Sequence, residues 1–178
     1  EGGAASRSEL VAFTGLNRST VGVLVSELAD VGLVFEGAGP AGQVGRPSLV
    51  VQPVASSAVV VAFDLRVERT VAALVGLGGD VLIRKEQRHK RSSYTPEAAL
   101  RNIVALIGSM LGKAPHPSTW VGIGIGVPGI VDHLDGRVRL APNLGWSDVP
   151  LGDMVREALT AEFGFAPSVA INNDADLG

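Results

Sequence analysis

Two helix signals lie close together in SRSELVAFTGLNRSTVGVLVSELADVGL, residues 6–33. Ser6 and Glu9 have the spacing of a capping box, in which each side chain satisfies the free backbone N–H of the other residue. Gly15 is suited to end this first helix in the left-handed conformation, and Asn17 is suited to cap a second helix. The segment therefore predicts two short helices joined by a tight turn.

The apolar residues of each helix fall on one face. Leu10 and Phe13 share a face of the first helix. In the second helix the apolar residues recur at helical spacing and predict a buried stripe of Val21, Leu24, Val25 and Leu28. The opposite face carries small, uncharged side chains, namely Ser19, Gly22, Val23 and Ser26. We call this opposite face the slim face, because it has no bulky group to keep another surface away.

A hairpin is expected after the second helix. Residues 33–35 and 49–51 resemble strands, and residues 36–48 between them are dense in Gly, Ala and Pro, which is typical of a loop. Two short helices followed by a hairpin are the plan of a winged helix-turn-helix. The alternative is a small helical cap over a neighbouring core. We favour the winged helix-turn-helix, because a cap needs neither the slim face nor the long loop.

The slim face leads to candidate DNA-binding residues. A helix enters the major groove when its outward face is not bulky, and its first turn reaches the base edges. Arg18 would contact a guanine edge or a phosphate, Val23 a thymine methyl, and the hydroxyls of Ser19 and Thr20 a phosphate or a base. For Thr20, simple helix-start chemistry is an equal alternative. Arg46, held extended between a glycine and a proline, is expected in a narrow minor groove, with an ordinary loop arginine as the alternative.

Composition limits the class of protein. Apolar residues make up 46% of the 178 residues and charged residues 19%, which favours a packed globular chain over disorder. The absence of cysteine excludes disulfides and Cys-ligated metal from this segment and fits a cytoplasmic location. The longest apolar stretches, 54–65 and 120–131, are shorter than the roughly 20 residues of a membrane span, so no contact with a membrane is expected.

Charge is distributed unevenly along the chain. The net charge is −2 for residues 1–53, +4 for 54–113 and −5 for 114–178. A diffuse basic coat for nucleic acid is therefore absent. DNA binding would depend on a few placed groups, doubled in a homodimer.

The remaining residues predict an α/β domain. Residues 53–57 are a plausible boundary, which gives domains at 1–53 and 54–178. Strands are expected at 58–65, 70–77, 81–88, 120–127 and 169–171, with a hairpin-like stretch over 130–140. Helices are expected from Pro96, at the first helical position, and over 151–163. The buried face of the helix that begins at Pro96 is predicted to consist of Leu100, Ile103, Val104, Ile107 and Leu111.

These features resemble the ROK family of repressors, open reading frames and sugar kinases. The helix signals and Gly45-Arg46-Pro47 resemble the family's DNA-binding module. GIGIGVPG at 122–129, APNLGW at 141–146 and NDA at 173–175 resemble its sugar-domain motifs in their usual order. The resemblance covers nearly the whole chain and implies a winged helix-turn-helix followed by part of an actin-like, sugar-kinase-like (ribonuclease-H-like) α/β domain. It also implies that the family's zinc-binding cluster lies beyond Gly178, so no cofactor is expected within this segment.

The ATP-binding turn of the kinase members is altered. In those members an Asp precedes a Gly-Gly-Thr turn, whose backbone N–H groups approach the phosphates of ATP. Here Asp64 is followed by Leu65, Arg66, Val67 and Glu68, so the glycines are missing and a carboxylate would repel a nucleotide. We therefore expect a protein that is not an enzyme, with an ATP-dependent sugar kinase as the alternative.

The sugar-binding positions are better kept. The resemblance places sugar-binding residues at Gly129, Asn143, Asn173 and Asp174. Asp174 matches the family's catalytic base, which deprotonates the sugar hydroxyl in a kinase, and without the phosphate loop it would only accept hydrogen bonds. The alternative is that residues 172–174 form a polar turn after a strand.

Three further features favour structural roles. The basic residues between Arg84 and Arg91 suit a solvated edge strand, although they could contact DNA phosphates. Histidines 89, 116 and 133 lack the spacing of metal ligands, so no metal site is predicted. Trp146 is expected in the core or at its rim.

The resemblance and the residues together predict a sugar-responsive transcriptional regulator of carbohydrate-metabolism genes, more specifically a repressor. Its partners would be double-stranded operator DNA, a sugar or phosphosugar effector and a second copy of itself. A regulator that binds DNA but no sugar is a third possibility.

Overall fold

The computed structural model describes residues 3–38, 49–111, 119–164 and 167–174. The first elements are β1 (Ala5–Ser6), α1 (Arg7–Thr14), α2 (Arg18–Asp30), β2 (Val34–Ala38) and β3 (Leu49–Pro53), with the three strands in the order β1-β3-β2. Both helix predictions are confirmed. The capping box of Ser6 and Glu9 is formed, Gly15 is left-handed at φ 70°, and the Asn17 side chain caps α2.

This first part has a small core of its own. Val21, Val25 and Val51 are buried, and half-buried Leu10, Val11 and Val34 pack against them. The predicted stripe on α2 is wrong for Leu24 and Leu28, which are 42% and 40% exposed. The reason is geometric: α2 packs mainly against the eight-residue α1 and the short β2, with Val51 of β3 in the same small core, and this surface covers one ridge of valines.

Phe13 is also far from the core, with 91% of its surface exposed. It shares a face with Leu10 in sequence, but α1 ends one residue after it. Too little chain lies beside this last turn to cover the ring.

The second part contains a five-stranded mixed sheet in the order β11-β7-β4-β5-β6. β4, β7 and β11 are parallel, whereas β5 and β6 are antiparallel to their neighbours. Its elements are β4 (Ala58–Leu65), β5 (Arg69–Gly76), β6 (Val81–Arg88), α3 (Pro96–Leu111), β7 (Thr119–Val127), α4 (Leu151–Phe163) and β11 (Ser168–Asn173). The α/β expectation holds, and the bounds of β4, β6 and α4 are as predicted.

The main core lies between this sheet and the two helices. Alternate residues of β4 and β5 are buried, as the two-residue period of a strand requires. On α3 the predicted buried face is correct for Ile103 and Ile107, whereas Leu100, Val104 and Leu111 are only partly buried. The helix instead buries Ala99, Leu106 and Met110, because it also packs against α4.

A second, three-stranded sheet follows β7. It consists of β8 (Ile130–Asp132), β9 (Arg137–Ala141) and β10 (Trp146–Val149) in the order β10-β9-β8. The predicted hairpin therefore has a third strand, which the sequence did not indicate because its four residues include two exposed polar side chains. Its buried residues, Trp146 and Val149, join the main core.

The two cores have no residue in common: one lies within residues 10–51 and the other within 59–171. The predicted boundary between residues 53 and 54 falls between them and remains a prediction. No helix in the described part of the chain is long and apolar enough to cross a membrane.

Candidate functional site

The slim face of α2 is open. Ser19, Val23 and Ser26 are exposed, and Val23 has 56% of its surface free. Gly22 is half-buried, because the Arg7 guanidinium lies 3.4 Å from the position that a Cβ of Gly22 would take. The protein's own described residues therefore leave room beside the slim face for another molecule.

The start of α2 is well ordered by its cap. The Asn17 carboxamide oxygen accepts hydrogen bonds from the Thr20 backbone N–H at 2.8 Å and from the Ser19 hydroxyl at 2.7 Å. The Ser19 hydroxyl thus has a structural role in this state, and Thr20 enters the cap through its backbone. Arg18 is exposed at the first turn, where the helix dipole favours an anion such as a phosphate.

An ion pair links the two-helix unit to the hairpin. Arg7 Nε and Nη2 donate to the two carboxylate oxygens of Glu36, each at 2.7 Å. The hydrogen bond from Arg7 lowers the pKa of Glu36 below its ordinary value. This fork-to-fork pair sets the position of β2 relative to α1. Sequence reasoning missed it, since 29 residues separate the partners.

The arms of the predicted wing are present as β2 and β3, with Ala38 opposite Leu49. Arg46 lies outside the described residues. Its assignment to the minor groove remains a prediction.

A cleft opens at the carboxyl ends of the parallel strands. Asp64 of β4, Gly126 of β7 and Asn172 of β11 lie side by side in register. A cavity of about 550 Å³ at this edge is lined by Asp64, Arg66, Gly126 and Asp174, among others, and we call it the Asp174 cleft. Ligands of open α/β sheets bind at this end of the strands.

Arg66 forms one wall of the cleft. Its Nε donates to Asp64 Oδ2 at 2.6 Å. Arg66 also begins the turn from β4 to β5, in which its backbone N–H donates to the Arg69 carbonyl at 2.9 Å. None of the positive-φ residues in the described chain lies in this turn. The turn therefore forms without the left-handed backbone that glycine favours.

The other predicted sugar-binding residues lie outside the lining of the Asp174 cleft. Asn173 is half-buried next to Asp174. Asn143 is exposed on the turn between β9 and β10. A Cβ on Gly129 would come 2.4 Å from the Leu140 carbonyl oxygen, so this glycine allows close packing against β9. Of the four residues, the structure brings only Asp174 into the cleft.

Sequence reasoning also missed a buried stack of rings. The rings of His89 and Tyr94 lie 3.4 Å apart and nearly parallel, and Tyr94 in turn stacks on Trp146. The Trp146 indole N–H donates to the Tyr94 carbonyl at 2.9 Å. The expectation that Trp146 belongs to the core is confirmed, since only 3% of its surface is exposed.

Burial changes the titration of two of these rings. It raises the pKa of Tyr94, whose hydroxyl shares a hydrogen bond with Thr70. It lowers the pKa of His89. Both ring nitrogens of His89 are shielded from solvent, and the Arg69 backbone and the Glu68 carboxylate partly oppose the lowering of its pKa.

The basic residues of β6 lie at the edge of the five-stranded sheet, as predicted. Glu86 lies within 4.0 Å of three guanidinium groups, those of Arg69, Arg84 and Arg88. Lys85 instead donates to the Ser109 hydroxyl on α3 at 2.6 Å. Within the described ranges, no three His, Asp or Glu side chains are grouped to hold a metal ion.

A model of the ROK family matches residues 60–176. The xylose repressor of Caldicellulosiruptor bescii is 33% identical over 174 residues, which cover 97% of this chain and 42% of the repressor. The chain belongs to the ROK family. It spans less than half the length of the curated repressor that it matches.

Two solved structures share the fold. A ROK family transcriptional regulator, described as a homologue of the Escherichia coli MLC protein, superposes with a TM-score of 0.61 at 23% identity, covering 95% of this chain and 41% of that one. A ROK family glucokinase from Streptomyces griseus, in complex with glucose and AMPPNP, superposes with a TM-score of 0.51 at 26% identity, covering 66% of this chain and 33% of that one.

Proposed function

We propose that this chain is the DNA-binding and effector-binding portion of a sugar-responsive transcriptional repressor. Residues 1–53 would form a winged helix-turn-helix, and residues 54–178 the first part of a sugar-kinase-like domain. The observation that carries the proposal is the open slim face of α2, beside a capped and exposed first turn. The similarity to repressors over nearly the whole chain supports it.

In this proposal α2 is the recognition helix. Arg18 and Val23 contact base edges, and the Ser19 and Thr20 hydroxyls contact the DNA after the Ser19 hydroxyl leaves Asn17. Arg46 enters the minor groove from the wing. A homodimer is needed, because one module presents few positive charges and paired half-sites double the contacts.

The effector would bind in the Asp174 cleft. In this site the Asp174 carboxylate accepts hydrogen bonds from sugar hydroxyls. Asn143, Asn173 and the Gly129 backbone join the site after a rearrangement of the chain. Sugar and operator would favour different arrangements of the two parts of the chain. By linkage, each ligand then weakens the binding of the other by the same factor.

The competing function is an ATP-dependent sugar kinase. Asp174 at the kinase-base position and the similarity to a glucokinase favour it. The turn after β4 opposes it, because Arg66, Val67 and Glu68 replace the phosphate-loop glycines. The turn therefore offers no left-handed backbone to cradle phosphates. Phosphate transfer from ATP to a panel of hexoses and pentoses, tested with the full-length protein, would establish the kinase and overturn the non-enzymatic assignment.

Fluorescence anisotropy with labelled operator DNA tests the repressor function. We expect one sugar of a panel to raise the operator Kd of the full-length protein by about fivefold or more, the range of typical allosteric couplings. Asp174→Asn should abolish the sugar response while operator binding persists. Asp80→Asn, at an exposed turn far along the sheet from the cleft, should leave both unchanged. Operator binding with no response to any sugar would leave a DNA-binding regulator without an effector site and refute the sugar-responsive part.

A further inference from the structure

The turn between β8 and β9 reaches the end of β11 and contacts it through His133. Nδ1 of His133 lies 2.8 Å from Oδ1 of Asn172 and 3.4 Å from the carbonyl oxygen of Ile171. Both oxygens are acceptors, so the imidazole that fits this place carries its proton on Nδ1 and donates to them. We call this contact the His133 bridge. It joins side chains that are 39 positions apart in the sequence.

The His133 bridge attaches to the end of an edge strand. β11 lies at the edge of the five-stranded sheet and pairs only with β7. Asn172 is the last residue but one of β11, and Asp174 follows two positions later in the lining of the Asp174 cleft. The end of a strand that is held by one neighbour alone opens readily. The bridge therefore gives a second attachment to the backbone that leads into Asp174.

The turn that carries His133 is itself held firmly. The Asp132 carbonyl accepts a hydrogen bond from the Gly136 N–H at 2.9 Å, and the Asp132 carboxylate accepts one from the Leu134 N–H at 3.1 Å. The turn is also fixed to the start of α4, because the Gly152 N–H donates to the Gly136 carbonyl at 3.0 Å. His133 is thus a donor in a preorganised position, as the support of a binding site requires.

The same hairpin leads to a second predicted sugar-binding residue. β9 continues from the turn of His133, and Asn143 lies on the next turn, between β9 and β10. Arg139 of β9 connects these parts: its Nη2 donates to Asp132 at 2.9 Å and its Nη1 to Asp148 of β10 at 3.4 Å. One connected unit therefore carries Asn143 and also contacts the strand end that leads into Asp174.

We propose that His133 is a positioning residue for the effector, which holds the end of β11 so that the Asp174 carboxylate meets the sugar hydroxyls. This inference rests on the proposed function and adds a residue to its effector site. His133 is not among the residues that line the cleft, so it acts through Asn172 and the backbone that follows. His133 is exposed, and a single hydrogen bond at the surface contributes little to the stability of a whole domain. Its loss should therefore affect sugar binding more than folding.

Isothermal titration calorimetry of the full-length protein tests the inference, with D-glucose, D-xylose and N-acetylglucosamine as probes. We expect His133→Ala to raise the Kd of the sugar that binds by about three- to tenfold, at most the loss of one hydrogen bond to a charged group. His133→Asn should restore most of the affinity, because its amide N–H can donate from nearly the same position as Nδ1. Asn172→Ala should also weaken binding, and the double variant His133→Ala, Asn172→Ala should lose less than the two single losses combined, since both remove the same contact.

Leu134→Ala is the matched control, because Leu134 is the next residue of the same turn and is fully exposed. It should bind the sugar as the wild type does. Wild-type affinity in His133→Ala, or a loss that His133→Asn does not restore, overturns the positioning role. If a sugar still releases the operator in that case, the proposed function stands. If no sugar binds the wild type or releases the operator, the sugar-responsive function fails, and the positioning role fails with it.

Discussion

The replacement Trp146→Phe measures how much the buried indole of Trp146 contributes to the stability of the second part of the chain. The indole N–H donates to the Tyr94 carbonyl inside the core. Phenylalanine has no such donor, and leaving a buried carbonyl unsatisfied costs about 1–3 kcal/mol. The smaller ring also removes two or three buried ring atoms, at about 0.8 kcal/mol for each methylene-sized group. We expect the free energy of unfolding to fall by about 3–5 kcal/mol.

Urea unfolding of the full-length protein, followed by circular dichroism, measures this loss as a lower midpoint with an unchanged slope. Trp120→Phe is the control, because Trp120 is the other tryptophan of the chain and only half-buried on β7. It should lower stability by a smaller amount. In buffer without urea, where the variant is folded, Trp146→Phe should retain its affinity for the sugar identified by the operator assay. A variant as stable as the wild type that no longer binds sugar would refute this reasoning and make Trp146 a stacking platform for the ligand.

Three further predictions concern single positions. Gly129→Ala should lower the free energy of unfolding by about 1–3 kcal/mol, because its Cβ would come 2.4 Å from a β9 carbonyl oxygen. Gly124→Ala is the control, since a Cβ there would have nothing within 4 Å. Equal urea midpoints of the two variants would contradict the account. Arg46→Ala should weaken operator binding by about 1–3 kcal/mol, mainly at A·T-rich sites, and an equal loss on every sequence would argue against minor-groove binding. The pKa of Glu36 is lowered by Arg7, so their pair stabilises the fold above the ordinary carboxyl pKa, and this stabilisation is lost as pH falls through the lowered value. In acid titrations followed by circular dichroism, Glu36→Gln should remove this pH-dependent part of the stability. An unchanged acid transition would count against it.

Local signals in the sequence were sufficient for most elements. The capping box at Ser6 and the Asn17 cap were predicted from spacing alone, because the hydrogen bonds that they make lie within four residues. The apolar run of β4 is visible in the sequence, and α4 is bounded by Pro150 and Gly164.

The missing features depend on residues that are far apart in sequence. The Arg7–Glu36 pair and the stacking of Trp146 on Tyr94 form only when separate elements meet, and no periodicity reports such a meeting. The exposure of Leu24 has the same origin, since helical spacing predicts an apolar stripe but not the width of the surface that will cover it.

The candidate site was predicted only in part, because some of its residues are also far apart in sequence. Asp174 could be placed at the end of a strand, and it does line the cleft. Gly126 was not recognised, because its place beside Asp64 follows from the parallel register of β4 and β7. The turn after β4 and the end of β6 also line a common cavity, which the sequence did not indicate because the two segments are far apart in sequence.

The most direct test of the account is to place a negative charge on one side of α2 or on the other and to compare the resulting affinities for operator DNA. Val23 lies on the slim face and Leu28 on the opposite side, and both are exposed, so Glu is tolerated by the fold at either position. By anisotropy with the full-length protein, Val23→Glu should weaken operator binding at least about tenfold through repulsion of the DNA backbone, while Leu28→Glu should change it less than about threefold. Equal effects of the two substitutions, or a loss confined to Leu28→Glu, would contradict recognition of DNA through the slim face.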